Sequence, residues 1–514
     1  MKKIFITDYL LLFVLGALSS LSLPPLNFFL INFITFSIFF SFLFKKFSFR
    51  KYKKFFFYYG WFFGFGYFLI SLYWITISLT FDENFSFLIP IALILIPSFL
   101  ASFYGLSTLV FYLIAPKNIM SAFFLFSLLF GMTEFLRGTI LTGFPWNLIV
   151  YSFSENRIFI SIISLIGTYS LNLLVISFFI APAIYVLRKS KKEIVVCVIL
   201  FFLSISFLSY GIFQNKKFED NEEKENTFII RIIGSNISLS RFYDNSQTEA
   251  IIKELISISS PLKNEKIFFV WPEGIIPNIY QDELYLYQDL FIQNFNENHL
   301  IGLGINNRIS ENNIYKFYNS LSVFDNKLNL ISNYNKKNLV PFGEFLPFEN
   351  FFKKIGFKTI THKIGSYTKG EKREIIQIDE NFGKFKFLPL ICYEIIYSGN
   401  LTNDYNFDFI INVSEDGWFG KSIGPKQHFS HSIFRAIETG KYVVRSSNNG
   451  MAALINPLGE IEQKIDYGKT GFIDFRKKKD FDRTIFSTYG NVIFLILILL
   501  YIFLAISFNR IRNE

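Results

Sequence analysis

The stretch FLPLICYE, residues 387–394, decides how the second half of the chain is interpreted. Its apolar residues predict a buried β-strand, and Cys392, Tyr393 and Glu394 follow directly. A cysteine in such a place is commonly a buried core residue. It can also be a nucleophile, provided that a nearby base or cation makes the thiolate accessible at neutral pH. The residues around this stretch decide between the two interpretations.

Short β-rich runs recur on both sides of this stretch. They lie at 228–233, 267–271, 300–305, 385–391, 408–413 and 442–446, with helical or polar stretches such as 246–259 and 281–298 between several of them. Alternating β and α segments predict an α/β domain of layered sheets and helices. We assign residues 227–480 to this domain and the polar residues 214–226 to a linker before it.

The remainder of the chain is apolar enough to be a membrane domain. Of the 514 residues in the whole chain, 51% are hydrophobic and 69 are Phe. The excess of apolar residues lies in residues 1–213 and near the C-terminus. A helix needs about 20 apolar residues to cross a bilayer. Eight runs approach or exceed that length, which predicts seven spans in residues 1–213 and an eighth at 486–508: 6–22, 27–44, 56–80, 87–115, 119–137, 159–187, 194–213 and 486–508.

The net charge of +10 is placed at the ends of these apolar runs. Basic residues such as Lys45, Lys117 and Arg188 follow every second run, whereas Asp82 and Glu83 lie in an intervening connection. The positive-inside rule then predicts cytoplasmic termini and an external location for residues 214–485. This placement explains the charge better than nucleic-acid binding, and no nucleic-acid partner is expected. A signal peptide at 1–22 is the alternative for the first run, although no clear small-residue cleavage site follows it.

This topology favours the nucleophile interpretation of Cys392. The other cysteine, Cys197, lies in an apolar run, so the outer domain offers Cys392 no disulfide partner. A lone thiol in an oxidising compartment is a liability unless it has a use. The four histidines show no metal-ligand spacing with the cysteines, and no metal site is expected.

Two other segments carry groups that could activate this thiol. Glu273 follows a predicted strand between Pro and Gly, where a partly desolvated carboxylate can act as a general base, although a solvated turn residue is the alternative. Lys336 and Lys337 precede the apolar loop LVPFGE, which ends at Glu344. An ammonium held beside a reacting carbonyl could stabilise a developing oxyanion.

The order Glu, Lys, Cys on successive segments resembles the catalytic triad of the nitrilase superfamily. Together with eight spans, the pattern resembles the apolipoprotein N-acyltransferase family over nearly the whole chain. The resemblance implies a membrane α-helical bundle joined to an extracytoplasmic α/β nitrilase-like domain, an αββα sandwich. The matching segments are 134–138, 141–146, 271–273, 339–344, 392–394, 412–414, 418–420, 424–428 and 445–450.

The resemblance also implies roles for individual residues. It makes Glu273, Lys336 and Cys392 the catalytic triad, because counting back eight residues from Glu344 selects Lys336 over Lys337. It places the oxyanion beside Lys336 and the backbone N–H of Tyr393.

Four further residues could support the site. Glu344 and Glu394 could orient Lys336 or the triad, with ordinary loop carboxylates as the alternative. Trp146 and Trp418 could line the path of a lipid, with interfacial anchoring an equal alternative for Trp146.

The function implied by the resemblance is acyl transfer during lipoprotein maturation. A fatty acyl group would pass from a phospholipid, usually phosphatidylethanolamine, through a thioester to the amine of a diacylglyceryl-cysteine. This ping-pong scheme needs no cofactor. The expected location is the bacterial cytoplasmic (inner) membrane, with several spans and the catalytic domain on the periplasmic side. The rivals are a membrane-tethered amidase with water as acceptor and a transporter or receptor with an outer sensor domain.

Two departures from the family pattern lie near the site. The family usually has Asn-Asp-Ala-Trp where this chain has Glu415-Asp416-Gly417-Trp418. It often has a basic residue or His where this chain has Asn338. The triad itself is intact, so the departures bear only on the loop near Trp418 and the approach to the lysine.

Overall fold

The computed structural model describes residues 2–47, 53–311, 314–347, 366–379, 382–399, 401–402 and 404–510. The chain divides into two compact units. The helical unit comprises residues 1–216, 419–430 and 484–514, and the sheet unit comprises 217–418 and 431–483. Residues 419–430, which the sequence placed in the catalytic domain, therefore pack with the helical unit.

The helical unit consists mainly of long apolar helices. Among the described residues, seven helices are long and apolar enough to cross a membrane, and the shorter apolar helix Ile6–Ser22 corresponds to the first of the eight predicted spans. This confirms the predicted membrane helical bundle. Up to the sheet unit the helices are α1 (Lys2–Ser19), α2 (Leu30–Phe47), α3 (Lys53–Leu72), α4 (Ile89–Ile114), α5 (Ile119–Thr139), α6 (Arg157–Ile160), α7 (Ile163–Val186) and α8 (Lys191–Glu219), and Ile485–Tyr489 and Val492–Arg510 end the chain.

The sheet unit contains a twelve-stranded sheet. Its strands are β1 (Glu223–Ser235), β2 (Ile267–Val270), β3 (His299–Glu311), β4 (Ile314–Asp325), β5 (Leu330–Asn335), β6 (Ile376–Ile378), β7 (Phe385–Ile391), β8 (Phe409–Glu415), β9 (Tyr442–Asn448), β10 (Ala452–Ile455), β11 (Ile461–Ile465) and β12 (Gly471–Lys479). The main order is β5-β4-β3-β2-β1-β9-β8-β7-β6.

The six central strands, from β3 through β1 to β7, are paired in parallel. Antiparallel strands β4 and β5 extend one side, and β6 extends the other. Because parallel strands end at the same edge of a sheet, residues that follow β2, β7 and β8 are brought to one edge.

Both faces of the sheet are buried, as the alternation of β1 shows. Ile230 and Ile232 join one apolar core, in which aromatic residues of β2 and β7 also meet. Ile229 and Ile233 join a second core with α9 (Thr248–Ser259) and α10 (Gln288–Asn294). A helical layer therefore covers one face, while the other face packs inside the nearly closed sheet. This is the nitrilase fold that the sequence predicted.

The segment expected to be a linker is largely ordered secondary structure. Helix α8 continues to Glu219 and β1 begins at Glu223. Five of the six residues from Gln214 to Glu219 are polar, but most of them are residues that a helix accommodates well. Polarity alone therefore marked the end of the apolar span without marking the end of the helix.

Candidate active site

Glu273 lies three residues beyond β2, at the edge where the parallel strands end. Trp271 N–H still donates to Gly302 O at 2.8 Å, so the chain keeps its pairing with β3 up to this point. The absence of a side chain at Gly304 leaves room for the backbone of Glu273, because a Cβ on Gly304 would lie 2.5 Å from Glu273 Cα. The sequence signal, a carboxylate after an apolar strand, thus corresponds to a buried side chain in a tightly packed position.

Lys336 follows β5 directly and is almost completely buried. Its N–H donates to Asn319 O at 2.8 Å, which fixes it against β4. Its ammonium Nζ donates to Oε1 of Glu273 at 3.1 Å and to Oε1 of Glu344 at 2.9 Å. Lys337 is less buried and makes neither contact among the described residues, which agrees with the choice of Lys336.

Cys392 is the first residue after β7 and is also buried. Its φ is +48°, a left-handed conformation that non-glycine residues adopt rarely and that costs on the order of 1 kcal/mol. The strand stops there and a short 3₁₀ turn, Cys392–Ile396, begins. Because the backbone turns here instead of continuing the strand, the thiol lies at the end of β7.

The electrostatics of these groups favour a neutral thiol beside a permanent ammonium. Burial, and after it the negative charge of Glu273, raises the pKa of Cys392 well above its ordinary value, and Lys336 only partly opposes this. Burial by itself would lower the pKa of Lys336, but Glu273 and Glu344 raise it well above the usual range. A thiol in these surroundings would need a base to become a thiolate, whereas Lys336 is held as an ammonium.

Asn319 of β4 was missed by sequence reasoning. Its amide Nδ2 donates to Oε1 of Glu273 at 2.7 Å and to Oε1 of Glu344 at 2.8 Å, so it bridges the two carboxylates that share Lys336. The backbone N–H of Glu415 donates to the other oxygen of Glu273 at 3.0 Å. Asn319 is one of several polar residues in β4, and nothing in its local sequence distinguishes it from the others.

Glu344 contacts the lysine of the proposed triad directly. Its Oε1 accepts a hydrogen bond from Lys336 Nζ. Its Oε2 accepts one from Val340 N–H at 2.8 Å, which closes the LVPFGE loop on itself. A carboxylate that accepts from both a buried lysine and its own loop is not an ordinary solvated residue. This geometry supports its assignment as a residue that orients Lys336.

Glu394 acts at the turn and not at the ammonium. Its Oε2 accepts from Ile391 N–H at 2.9 Å, while Oε1 accepts from Arg373 at 2.6 Å and from the N–H groups of Lys337 and Asn338 at 3.0 Å. Burial opposes its ionisation, but Arg373 and these backbone donors keep the pKa of Glu394 below its ordinary value. It ties the end of β7 to the lysine segment, and Arg373 is a second residue that the sequence did not single out.

The departures from the family pattern are accommodated by a buried network. The Glu415 carboxylate pairs with Arg241 and accepts from Asn448 Nδ2 at 2.6 Å. Asp416 pairs with buried Arg445 at 2.8 Å. Asn338, the other departure, donates its backbone N–H to Glu394 at 3.0 Å, a contact that does not depend on its side chain.

The remaining predicted residues lie in different surroundings. The buried ring of Tyr393 packs edge-on against Tyr397 at 5.6 Å. Trp418 of the sheet unit is half-buried and packs against Phe242 at 5.1 Å. Trp146 is buried in the helical unit, against Trp74 and His428. The structure therefore brings the triad and both supporting carboxylates together within the sheet unit, whereas the two tryptophans belong to different units.

Comparisons with known proteins cover both units. Residues 15–181 match the family model "Apolipoprotein N-acyltransferase N-terminal domain", and residues 233–474 match "Carbon-nitrogen hydrolase". The apolipoprotein N-acyltransferase of Rickettsia prowazekii is 32% identical over 98% of both chains. That of Agrobacterium fabrum is 30% identical over 97% of this chain and 96% of its own, and that of Rhizobium leguminosarum bv. trifolii is 31% identical over 81% and 78%.

Among solved structures, the chain is similar to members of the nitrilase superfamily. A member from Saccharomyces cerevisiae is 16% identical, covering 48% of this chain and 90% of its own, with a TM-score of 0.33. An amidase from Nesterenkonia is 9% identical, covering 53% and 97%, with a TM-score of 0.34.

Proposed function

The chain belongs to the apolipoprotein N-acyltransferase family, and from this premise we propose that Cys392 carries a fatty acyl group from a phospholipid to a lipoprotein. The acceptor is the free amine of an N-terminal diacylglyceryl-cysteine. The chain is a multi-pass membrane acyltransferase, and the proposal adds the donor, the thioester and the residues. Phosphatidylethanolamine is the proposed donor.

The observation that carries the proposal is the position of Lys336 between two carboxylates. A lysine that donates to both Glu273 and Glu344 stays an ammonium, because each partner favours its charged form. It is therefore suited to stabilise an oxyanion and poorly suited to remove a proton. The base is then Glu273, which takes the proton of Cys392 directly instead of through the lysine.

The first half-reaction forms the thioester. Sγ of Cys392 attacks the ester carbonyl carbon of the phospholipid while its proton moves to Glu273. Lys336 Nζ and Tyr393 N–H donate to the oxyanion, and loss of one such donor costs about 3–4 kcal/mol of barrier in other enzymes. The C–O bond then breaks, and the leaving lyso-lipid alcohol takes the proton from Glu273.

The second half-reaction releases the enzyme. The lipoprotein amine attacks the thioester carbonyl and gives a proton to Glu273. The C–S bond breaks, the amide forms, and Cys392 recovers its proton from Glu273. The two half-reactions together need no cofactor, because the ester of the phospholipid supplies the activated acyl group.

The proposed location follows the placement of charge along the helical unit. The chain lies in the bacterial cytoplasmic membrane with both termini inside and the sheet unit in the periplasm. Both substrates are anchored in a bilayer by their acyl chains. An enzyme that is itself multi-pass meets them there without extracting either from the membrane.

The experiment is the intact mass of the purified protein after incubation with phosphatidylethanolamine and no acceptor. We expect a mass increase of one acyl group on Cys392 that neutral hydroxylamine removes and that Cys392→Ala lacks. A diacylglyceryl-cysteine peptide should then discharge it into an N-acylated product. Discharge to free fatty acid alone would support the amidase rival, and a folded protein that never forms the adduct would overturn the proposal.

A further inference from the structure

Gln427 lies in a cluster of aromatic side chains within the helical unit. It is the fourth residue of α11 (Gly424–Thr439), and its neighbours are Trp74, from the 3₁₀ segment Tyr73–Thr80, and Trp146. The two indole rings lie 4.8 Å apart, and Phe419 packs edge-on against both, at 4.8 and 5.6 Å. The proposed chemistry at Cys392 does not use this cluster.

The orientation of the Gln427 amide is fixed by its two indole neighbours. Nε1 of Trp74 lies 3.0 Å and Nε1 of Trp146 lies 2.9 Å from Oε1 of Gln427. An indole N–H can only donate, so the oxygen of the amide must face both rings. The amide nitrogen Nε2 then faces away from them, and it is buried without a hydrogen-bond partner among the described residues. Buried donors are normally satisfied, so this amide nitrogen is a candidate donor to an acceptor that a ligand supplies.

The segment that carries Gln427 packs closely against the 3₁₀ segment that carries Trp74. A Cβ at Gly424 would lie 2.9 Å from Trp74 Cδ2, and one at Gly420, where φ is +58°, would lie 2.7 Å from Ile77 Cγ2. The segment 419–427 is thus pressed closely against the 3₁₀ segment. The donor is held in place by packing.

The loop that carries Trp146 is held just as firmly. Arg137, paired with buried Glu134, donates to Phe144 O and, at 3.1 Å, to Oδ1 of Asn147. Nδ2 of Asn147 donates to Ser71 Oγ at 2.8 Å. These contacts fix the loop on both sides of Trp146, and with it the indole that orients the amide.

The chemistry of the cluster selects a neutral acceptor oxygen. Proteins meet phosphate with Arg or Lys, whereas the side chains in contact here are aromatic rings and a primary amide, and Lys426 is exposed. Resting on the proposed function, we infer that Gln427 Nε2 donates to an ester carbonyl of a diacylglyceryl group. The proposed acyl donor and the proposed acyl acceptor both carry that group, so either substrate can accept this hydrogen bond from Gln427.

The test is lipid binding, measured by native mass spectrometry on detergent-purified full-length Cys392→Ala protein. Its probes are diester and diether phosphatidylethanolamine, which share a head group and chains but differ in the ester carbonyls. We expect the diester lipid to bind about tenfold more tightly, which corresponds to one hydrogen bond of about 1.4 kcal/mol. Adding Gln427→Glu, which keeps an acceptor for both indoles but has no N–H, should abolish the difference.

Two controls separate donation from packing. Gln293→Glu places the same change on the exposed surface of α10 and should keep the diester preference. Trp74→Phe removes one indole donor but leaves Nε2 of Gln427, and Trp146 still orients the amide. This variant should also keep the preference for the diester lipid. Loss of the preference in Trp74→Phe, or its persistence in Gln427→Glu, would overturn the inference.

A third probe separates the two sources of the carbonyl. The same titration with a diester and a diether form of diacylglyceryl-cysteine peptide tells whether the acceptor substrate shares the contact. A Gln427-dependent preference in either lipid class supports the inference, and its absence from both overturns it. Since binding is measured without Cys392, failure of the acyl-enzyme experiment would leave this result standing, and the two failures are distinguishable.

Discussion

The carboxylate of Glu344 lies 2.9 Å from the ammonium of Lys336, closer than the 3.1 Å contact that Glu273 makes with the same group. The proposed base therefore does not hold the lysine alone. With a second anion and Asn319 in place, Glu273 can accept a proton without leaving Lys336 unpaired in a buried site. We therefore propose that Glu344 is a positioning residue that acts through Lys336.

Replacing Glu344 by Gln should lower the rate of acyl-enzyme formation by about tenfold to a hundredfold, approaching the loss of one oxyanion donor. The amide keeps a hydrogen-bond acceptor but removes the charge that raises the pKa of Lys336, so Glu273 becomes the only anion beside it. Mass spectrometry of Cys392 against time measures the effect. The control is Glu374→Gln, at an exposed carboxylate paired with Lys372, and it should leave the rate of acyl-enzyme formation unchanged. Equal rates in the two variants would contradict the role.

The thiol of Cys392 should react slowly with iodoacetamide at neutral pH. Its pKa is raised by burial and by Glu273, so at neutral pH the thiolate fraction is lower than for an ordinary cysteine, about tenfold lower for each pH unit by which the pKa is higher. The alkylation rate should still be rising at pH 9. A Cys197→Ser background leaves Cys392 as the only thiol, and glutathione is the reference.

Replacing Glu273 by Gln should move alkylation and acylation in opposite directions. Removing the negative charge lowers the pKa of Cys392, so alkylation at pH 8 becomes faster. Acyl-enzyme formation from phospholipid should fall by about a hundredfold to ten-thousandfold, because general-base catalysis is lost. If both rates fell together, the variant would be misfolded; if acylation persisted, Glu273 would not be the base.

Glu394 should contribute stability that depends on pH. Its folded pKa lies below the ordinary value of 4.5, so this contribution is complete above 4.5 and disappears as the pH falls through the folded pKa. Glu394→Gln leaves Arg373 buried without its anion, which typically costs about 3–5 kcal/mol. Thermal unfolding in detergent should therefore separate wild type and variant widely at pH 6 and less below pH 4.5. A constant difference would contradict the assignment.

The fold, and the residues proposed as the triad, have local signals in the sequence. An apolar strand followed by a carboxylate or a thiol marks Glu273 and Cys392 within a few residues, and β7 was predicted at its observed bounds, 385–391. Asn319 and Arg373 gave no such signal. Each acts only through partners that the fold brings together, Asn319 on Glu273 across 46 positions and Arg373 on Glu394 across 21.

The two predicted tryptophans show a different limit. Aromatic residues beside motif segments were reasonable candidates for a lipid path, but sequence does not state which unit a residue packs with. Trp418 ends a segment of the sheet unit and Phe419, the next residue, begins a segment of the helical unit. Packing decides such a boundary, and no composition change marks it.

The first of the two departures changes both residue 415 and residue 417, which contact each other, and this gives the last prediction. A Cβ on Gly417 would lie 2.7 Å from Oε1 of Glu415 and 2.9 Å from Nδ2 of Asn449. Oε1 of Glu415 in turn accepts from Gly417 N–H at 2.8 Å, so the longer side chain occupies the space that an alanine methyl would need. Gly417→Ala alone should destabilise the protein by about 1–3 kcal/mol, the usual cost of overpacking.

Adding Glu415→Asn, the shorter side chain usual in the family, relieves the clash, so the loss in the double variant should be smaller than the sum of the two single losses. The expected coupling between neighbouring sites is about 0.5–3 kcal/mol, read from a double-mutant cycle of thermal unfolding. Glu415→Asn alone should be costly, because it leaves buried Arg241 without its carboxylate. Acyl-enzyme formation should follow the same pattern, since the N–H of residue 415 also donates to Glu273. Additive losses would show that residues 415 and 417 are not energetically coupled.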